Sequence, residues 1–275
     1  MQFFTPNQEF VYLLALLVIS GMFTGLISGL FGVGGGIILV PALLYVFDEL
    51  GYSDSFSTHM AIGTSLAIIV PTTITSAWSY YKRGSINIIL FFKLAFPVAF
   101  FAVLGTLLAG NLSGKSLKLI FSLMIILIAL NLLREKKFFL GKNLPDLLKV
   151  WSVMGLIGFL SSMMGVGGGA FFITYLIAYN VPLLSAVGTS ASLGLMISLP
   201  GAIGYIFSGW HLQNLPPLSF GYLNFFGFIC VIPTTMIMAP QGAKLAHYLD
   251  KEKLKRIFAI FLLIMSIRML YKIII

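Results

Sequence analysis

A long stretch of this sequence, from Val150 to Ala243, contains no Asp, Glu, Lys or Arg. A soluble domain of that size needs a charged exterior, because its surface faces water. Across all 275 residues the sequence is 59% hydrophobic and 9% charged, whereas soluble domains are about 25% charged. The sequence therefore predicts an integral membrane protein.

The apolar runs do not alternate apolar and polar residues, as the strands of an outer-membrane barrel do. Long runs of Leu, Ile and Phe favour membrane-spanning helices, which satisfy their own backbone hydrogen bonds inside lipid. We therefore predict an all-α polytopic membrane protein. No Lys or Arg precedes the first apolar run, and this run is longer than the apolar region of a signal peptide, so we expect it to remain in the mature protein.

Glycines interrupt the first charge-free run. Residues 11–47 carry no charge, and as one helix they would extend about 55 Å, nearly twice the roughly 30 Å hydrocarbon core of a bilayer. The chain must therefore turn back, and the glycine-rich residues 32–36 are where the helix can end. The first set of membrane segments is predicted at residues 11–31, 36–47, 59–81, 87–110 and 117–133. The second set is predicted at residues 150–165, 168–180, 184–208, 219–241 and 255–273.

The two sets of segments look duplicated. Phe-Gly-Val-Gly-Gly-Gly at residues 31–36 returns 133 positions later as Met-Gly-Val-Gly-Gly-Gly at residues 164–169, and a Gly-x-x-Ser motif precedes each copy. Gly-Thr-Ser occurs at residues 63–65 and again at residues 188–190. Several motifs in the same order are not expected by chance, so the sequence predicts two homologous halves.

We place the halves at residues 1–133 and 150–275, joined by a hydrophilic cytoplasmic linker at residues 134–149. Each half has an odd number of crossings, five, or three if the glycine turn forms a re-entrant hairpin, so the halves are predicted to be an inverted repeat of eight to ten membrane segments. The positive-inside rule supports inversion, because it then places twelve Lys and Arg residues inside and four outside, against nine and seven for parallel halves. The inside set is Lys82, Arg83, Arg134, Lys136, Lys137, Lys142, Lys149, Lys244, Lys251, Lys253, Lys255 and Arg256, and the outside set is Lys115, Lys118, Arg268 and Lys272.

The two glycine runs are the candidate binding site. Consecutive glycine amides at a broken helix can direct several N–H groups into one concavity, and such nests and helix N-termini bind anions. In transporters built from inverted repeats, broken helices meet near the middle of the membrane. The alternative is that the glycines only let helices pack closely, which is the role we assign to Gly21, Gly25 and Gly29. The predicted substrate-binding glycines are Gly32, Gly34, Gly35, Gly36, Gly165, Gly167, Gly168 and Gly169.

Hydroxyl side chains follow both glycine runs. Thr64, Ser65, Thr189 and Ser190 lie near the start of the third segment of each half, where hydroxyl groups can complete the shell of an anion. The alternative is a hydrogen bond to a carbonyl one turn back along the same helix, which is common for Ser and Thr in membrane helices. These four residues complete the predicted site.

The acidic residues are all predicted to lie in a terminus or a loop. Cation transporters usually place a carboxylate inside the membrane, so its absence argues for an anionic or neutral substrate. Lys93 is the one charge clearly inside a predicted span, and we favour snorkelling to the interface over contact with an anion.

Other kinds of function are disfavoured. The single cysteine, Cys230, excludes an intramolecular disulfide and a thiolate metal cluster, and the histidines lack a spacing at which two could share a metal. Most basic residues lie in short loops beside apolar segments, so no nucleic-acid partner is needed to explain them. We therefore expect no enzyme activity, no metal and no cofactor.

The segments at residues 25–36 and 158–169, with the two Gly-Thr-Ser triplets, resemble the TauE/SafE sulfite exporter family of bacterial and archaeal inner-membrane proteins. The resemblance covers essentially the whole chain. It implies transport of sulfur-containing anions such as sulfite, sulfoacetate, sulfolactate or thiosulfate across the cytoplasmic membrane, usually outward.

Two functions of different class follow. The first is a secondary transporter for small sulfur oxyanions or organosulfonates, which works by alternating access between inverted halves in the lipid bilayer. The second is a channel-like or structural membrane protein in which the glycines serve helix packing only. Both functions are compatible with a homo-oligomer.

Overall fold

The computed structural model describes residues 6–31, 34–133, 139–141, 144–212, 215–245, 248 and 251–274. Within these residues the chain forms ten α-helices and one short β-hairpin. The first half contains α1 (Pro6–Phe31), α2 (Gly36–Glu49), α3 (Asp54–Lys82), α4 (Ile88–Gly110) and α5 (Gly114–Leu133). The second half contains α6 (Leu147–Met164), α7 (Gly169–Ala178), α8 (Leu183–Gly209), α9 (Phe225–Leu245) and α10 (Lys251–Ile274). The strands β1 (Ser219–Phe220) and β2 (Leu223–Asn224) lie between α8 and α9.

The helices confirm the all-α membrane fold. Seven of them, among the described residues, are long and apolar enough to cross a membrane, and shorter apolar helices occur at Gly169–Ala178 and Phe258–Tyr271. One predicted boundary is wrong. The segment predicted at residues 219–241 begins as the β-hairpin, and its helix, α9, starts only at Phe225.

The hairpin lies in the longer of two matching connections. The connection between α8 and α9 has 15 residues, 210–224, whereas the one between α3 and α4 has five, 83–87. The strands pair antiparallel, and the Tyr222 amide donates to the Tyr205 carbonyl of α8 at 3.2 Å. The extra residues therefore fold back onto the helices.

Glycines bring the outer helix pairs into contact. A Cβ added to Gly25 of α1 would lie 2.6 Å from the Thr235 carbonyl oxygen of α9, and Gly29 faces Ala239 one turn further along both helices. In the other pair, a Cβ at Gly158 of α6 would lie 2.6 Å from the Val98 carbonyl oxygen of α4. Such close approach leaves no room for a side chain, which is the use of small residues between membrane helices.

The third helices of the two halves, α3 and α8, cross the centre side by side. Leu66 of α3 contacts Gly201, and Thr73 of α3 contacts Gly194, so residue numbers rise along one helix as they fall along the other. The two helices are therefore antiparallel. Matching helices that run in opposite directions are what an inverted repeat requires, and the inversion itself stays a prediction.

The second helix of each half is short. With 14 and 10 residues, α2 and α7 extend about 21 and 15 Å, less than the roughly 30 Å of the hydrocarbon core. Gly35, at the start of α2, contacts Thr24 of α1, while Tyr45 near its other end lines the same cavity as Tyr12 near the start of α1. α2 therefore runs back along α1.

Candidate functional site

The break before each short helix depends on backbone conformations that favour glycine. Gly35 and Gly168 precede α2 and α7 with φ of 76° and 68°. Gly34 and Gly165 also have positive φ, at 77° and 71°. The left-handed region costs other residues roughly 1–2 kcal/mol, so the repeated glycine run allows each long helix to stop and a short one to begin in another direction.

The two breaks lie against each other. A Cβ added to Gly34 would lie 2.8 Å from the Gly167 Cα atom, and one added to Gly36 would collide with the Gly165 carbonyl oxygen. The structure therefore brings the predicted glycines of both halves together, backbone against backbone. Gly32 lies outside the described residues.

The breaks are deep in the molecule. Gly34 contacts Ile69, near the middle of α3, and Gly168 contacts Ile197, near the middle of α8. Because both long helices are able to cross a membrane, the breaks lie near half the depth of the spans. The first amides of α2 and α7 have no carbonyl partner within their own helix, and the positive end of each helix dipole lies at this centre.

The two predicted serines contact the breaks. Ser65 Oγ donates to the Gly165 carbonyl at 2.9 Å, and Ser190 Oγ donates to the Gly169 carbonyl at 3.1 Å. Both hydroxyl groups are buried. Their hydrogen bonds hold carbonyl groups at the ends of the second break, so the serines position its backbone.

The two predicted threonines have a different contact. Thr64 Oγ1 accepts from the Asn224 amide at 2.9 Å, and Thr189 Oγ1 accepts from the Asn87 amide at 3.2 Å. Each asparagine in turn accepts a hydrogen bond from the first turn of the following helix, α9 or α4. The threonines therefore tie α3 and α8 to the N-terminal caps of neighbouring helices.

Further buried hydroxyl groups lie at the breaks or one turn away from residues that contact them. They belong to Thr24, Ser28, Ser161 and Ser198, which are fully buried and whose oxygen atoms have no hydrogen-bond partner among the described residues. Thr24 contacts Gly35, and Ser161 Oγ lies 3.1 Å from the position of a Cβ at Gly168. Ser28 follows Thr24 by one turn on the same face of α1. Buried polar groups normally have partners, and those that lack one are candidates for binding a ligand.

Two tyrosines hold the long helices next to the breaks. Tyr80 donates to the Gly29 carbonyl at 2.7 Å, and Tyr205 donates to the Met163 carbonyl at 3.2 Å. Both rings are fully buried. Their matching positions in the two halves were a signal in the sequence, since Tyr80 and Tyr205 are 125 residues apart, as are the Gly-Thr-Ser triplets.

Charged and metal-binding groups lie elsewhere. Lys93 is exposed on α4, and its carbonyl accepts from Trp151 Nε1 at 3.1 Å. His59 is buried in α3, where Nε2 lies 3.2 Å from the Ala109 carbonyl and the ring stacks on Tyr222. Among the described residues no three His, Cys, Asp or Glu side chains are grouped to hold a metal ion. The arrangement at the breaks therefore offers N–H and O–H donors.

Comparison with known proteins gives consistent matches. The profile of the family described as Sulfite exporter TauE/SafE matches residues 17–269. A "Probable membrane transporter protein" of Haemophilus influenzae is 32% identical over 268 residues, which cover 96% of this chain and 100% of that protein. Another, of Methanocaldococcus jannaschii, is 29% identical over 84% of this chain and 83% of its own. A third, of Bacillus subtilis, is 22% identical over 94% of this chain and 97% of its own. No solved structure gives a significant match.

Proposed function

Because this chain belongs to the sulfite exporter TauE/SafE family, it is a membrane transporter and not an enzyme, and we propose that it carries a small sulfur-containing anion that binds at the two glycine breaks. Sulfite, thiosulfate and organosulfonates such as sulfoacetate are the candidates. All have several oxygen acceptors around a small anionic centre, and they would be held by backbone amides and hydroxyl groups.

The meeting of the two short helices carries this proposal. The N-termini of α2 and α7 begin at Gly36 and Gly169, and the breaks before them are in contact. Helix N-termini attract anions through their unpaired amides and their dipoles. Two such ends at one place, deep in a membrane protein, favour a negative ligand from both sides.

The unpartnered hydroxyl groups support the same site. Ser28 and Ser161 occupy matching positions of the two halves, and within the described part of the chain neither buried oxygen atom has a hydrogen-bond partner. A hydroxyl that donates to a charged acceptor contributes about 1.5–3 kcal/mol, so a pair of them can discriminate an oxyanion from a neutral molecule. The acidic residues nearest along the chain to the first break, Asp48 and Glu49, are at the far end of α2.

The proposed transport cycle uses the antiparallel contact between α3 and α8. α3 and α8 contact each other along their middles, and we propose that the two inverted halves rock about this contact to expose the site to one side and then the other. In a cytoplasmic membrane that is negative inside, export of an anion gains about 2.3 kcal/mol per charge per 100 mV. Outward transport is therefore the proposed direction, with residues 134–149 in the cytoplasm.

The close contact of the breaks also favours a second function. Gly34 and Gly36 leave no space toward Gly167 and Gly165, which is what helix packing alone would require. In this alternative the chain is a channel-like or structural membrane protein without a saturable site.

Flux measurements separate the two functions. Purified protein in vesicles loaded with sulfite, thiosulfate or sulfoacetate should release at least one of these anions at a rate that saturates with concentration. Ser28→Ala combined with Ser161→Ala should raise KM or lower the rate at least about tenfold, the factor expected for one lost hydrogen bond to a charged group. Ser122→Ala is the matched control, because it removes a buried hydroxyl that donates to the Lys118 carbonyl on α5.

The stability of the same variants completes the test. An unpartnered buried hydroxyl contributes nothing favourable to folding, so the double serine variant should unfold at the same temperature as the unaltered protein or higher. A parallel fall of transport and unfolding temperature would assign the serines to packing. Flux that rises linearly with concentration in every variant would favour the channel.

A further inference from the structure

The first residue of each Gly-Thr-Ser triplet contacts a connection of the opposite half. We call the connection between α8 and α9 the hairpin connection and the one between α3 and α4 the short connection. A Cβ added to Gly63 would lie 2.6 Å from the Tyr222 carbonyl oxygen of the hairpin connection, and one added to Gly188 would lie 2.6 Å from the Ser85 carbonyl oxygen of the short connection. Neither position therefore has room for a side chain, and the two contacts are equivalent.

The threonine of each triplet holds the end of the same connection. Thr64 accepts from the Asn224 amide and Thr189 from the Asn87 amide, and each asparagine is the last residue of its connection. We call the contacts of Gly63 and Thr64 with the hairpin connection the hairpin latch, and the equivalent contacts of α8 with the short connection the short latch.

The serine of each triplet links its latch to the predicted site. Ser65 Oγ donates to the Gly165 carbonyl and Ser190 Oγ to the Gly169 carbonyl, at the two ends of the second break. Because Thr64 and Ser65 are adjacent residues of one helix, a movement at the latch is also felt at the break. Three consecutive residues therefore connect a loop to the site in each half.

The two latches lie near opposite faces of the membrane. A Cβ added to Gly188 would lie 3.2 Å from the Tyr80 Cβ atom of α3. Gly63 and Tyr80 are 17 residues apart on that helix, or about 25 Å, which is most of the roughly 30 Å hydrocarbon core. Ile69, which contacts Gly34 of the first break, lies between them. The breaks are therefore located between the two latches.

Each connection continues into a helix that packs on one part of the site. The hairpin connection leads to α9, which contacts α1 at Gly25, and the short connection leads to α4, which contacts α6 at Gly158. The buried hydroxyl groups of Ser28 and Ser161 lie on α1 and α6. Each latch therefore joins one of the central helices to a helix pair that carries a hydroxyl group of the site.

Both latches are closed in this structure, and the hydroxyl groups at the breaks are fully buried. An anion at the breaks can therefore exchange with water only after helices separate. We propose that the two latches are the gates of the transport cycle. Release of the hairpin latch lets α9 and α1 move away from α3 and opens the breaks to the face at which the hairpin lies. Release of the short latch lets α4 and α6 move away from α8 and opens the breaks to the opposite face. This proposal rests on the alternating access proposed above but not on the identity of the anion.

The test measures access to the breaks from each face. Full-length protein with Cys230→Ala and one new cysteine, Ser161→Cys, is placed in membrane vesicles, and a small charged methanethiosulfonate that does not cross the bilayer is applied to one face at a time. A separate variant, His211→Cys, identifies the hairpin face, because His211 is exposed in the hairpin connection.

Thr64→Val should increase the labelling rate at position 161 about tenfold from the hairpin face only, the factor for one lost hydrogen bond of about 1.4 kcal/mol. Thr189→Val should increase it from the opposite face only. Thr64→Ser and Thr189→Ser keep the acceptor and should label at the original rate. Thr106→Val is the matched control, because it removes a buried hydroxyl that donates one turn back within α4, to the Ala102 carbonyl, and it should change labelling from neither face.

Face-independent labelling would overturn the proposal. Equal increases from both faces would mean that the variants loosen the whole protein, and unchanged labelling in folded Thr64→Val and Thr189→Val would mean that the latches are not gates. Thr189→Val alone decides the matter if Thr64→Val does not fold. The flux measurement keeps the proposed function separate: face-specific labelling without saturating flux of any sulfur anion would keep the gates and reject the substrate, whereas saturating flux with face-independent labelling would do the reverse.

Discussion

At the centre of the molecule the two halves share one hydrogen bond at matching positions, whereas on the flanks the matching positions make different contacts. The Thr64–Asn224 hydrogen bond has its counterpart in Thr189–Asn87. On the flanks, by contrast, Arg268 stacks on an aromatic ring where Asn131 makes a neutral hydrogen bond. A substitution in one half can therefore be compared with the matching substitution in the other half.

The largest effect is expected at the contact between the breaks. Gly34→Ala should destabilise the protein by about 3 kcal/mol or more, because it combines left-handed strain with overlap against Gly167. Gly51→Ala is the control, because Gly51 has a similar φ of 73° but nothing within 4 Å of an added Cβ, and it should cost only about 1–2 kcal/mol. Thermal unfolding in detergent measures both. Equal losses would mean that the breaks are not crowded.

The threonine contacts should give the next largest effect. Thr64→Val removes the acceptor of the buried Asn224 amide and should cost about 1–3 kcal/mol. Thr189→Val should cost less, since its bond is longer, 3.2 against 2.9 Å, and only part-buried. Thr→Ser at each position keeps the hydroxyl and isolates the loss of the methyl group. If valine is tolerated at both positions, the shared contact is not a source of stability.

The tyrosine contacts compare the halves at smaller magnitude. Tyr80→Phe and Tyr205→Phe each remove one hydrogen bond to a helix next to a break, worth about 1 kcal/mol. The effect should be larger for Tyr80, whose bond is 2.7 Å long against 3.2 Å for Tyr205. Unfolding temperatures of the two variants decide the order, and the reverse order would contradict the expected link between bond length and stability.

The sequence predicts most of the helices because their limits depend on local properties. The length of a run without charged residues indicates how far a membrane span extends. Glycine indicates where a helix ends. The exception is the hairpin at residues 219–224. Its Tyr222 and Leu223 are buried, and Tyr222 packs on His59 of α3 and Tyr205 of α8, whereas Phe220 is exposed. Composition alone does not distinguish burial in such contacts from burial in a membrane span.

The site is predicted less completely, for a different physical reason. The repeated motif indicates which glycines belong to the predicted site. The structure places the described ones next to each other. The role of Thr64 depends on Asn224, which is 160 residues away and therefore has no local signal. Ser28 and Ser161, by contrast, do have a local signal, since both belong to the repeated Gly-x-x-Ser motif.

Under the proposed function, the left-handed glycines at the breaks limit how this protein can acquire a new specificity. A residue that provides only backbone cannot be exchanged for one with a different side chain while the helices still break at that place. Changes of selectivity must then arise one turn away, at Thr24, Ser28, Ser161 and Ser198, where Ala, Ser, Thr and Cys differ by only a few atoms. Directed evolution toward another anion should therefore enrich substitutions at these four positions and keep the glycines unchanged.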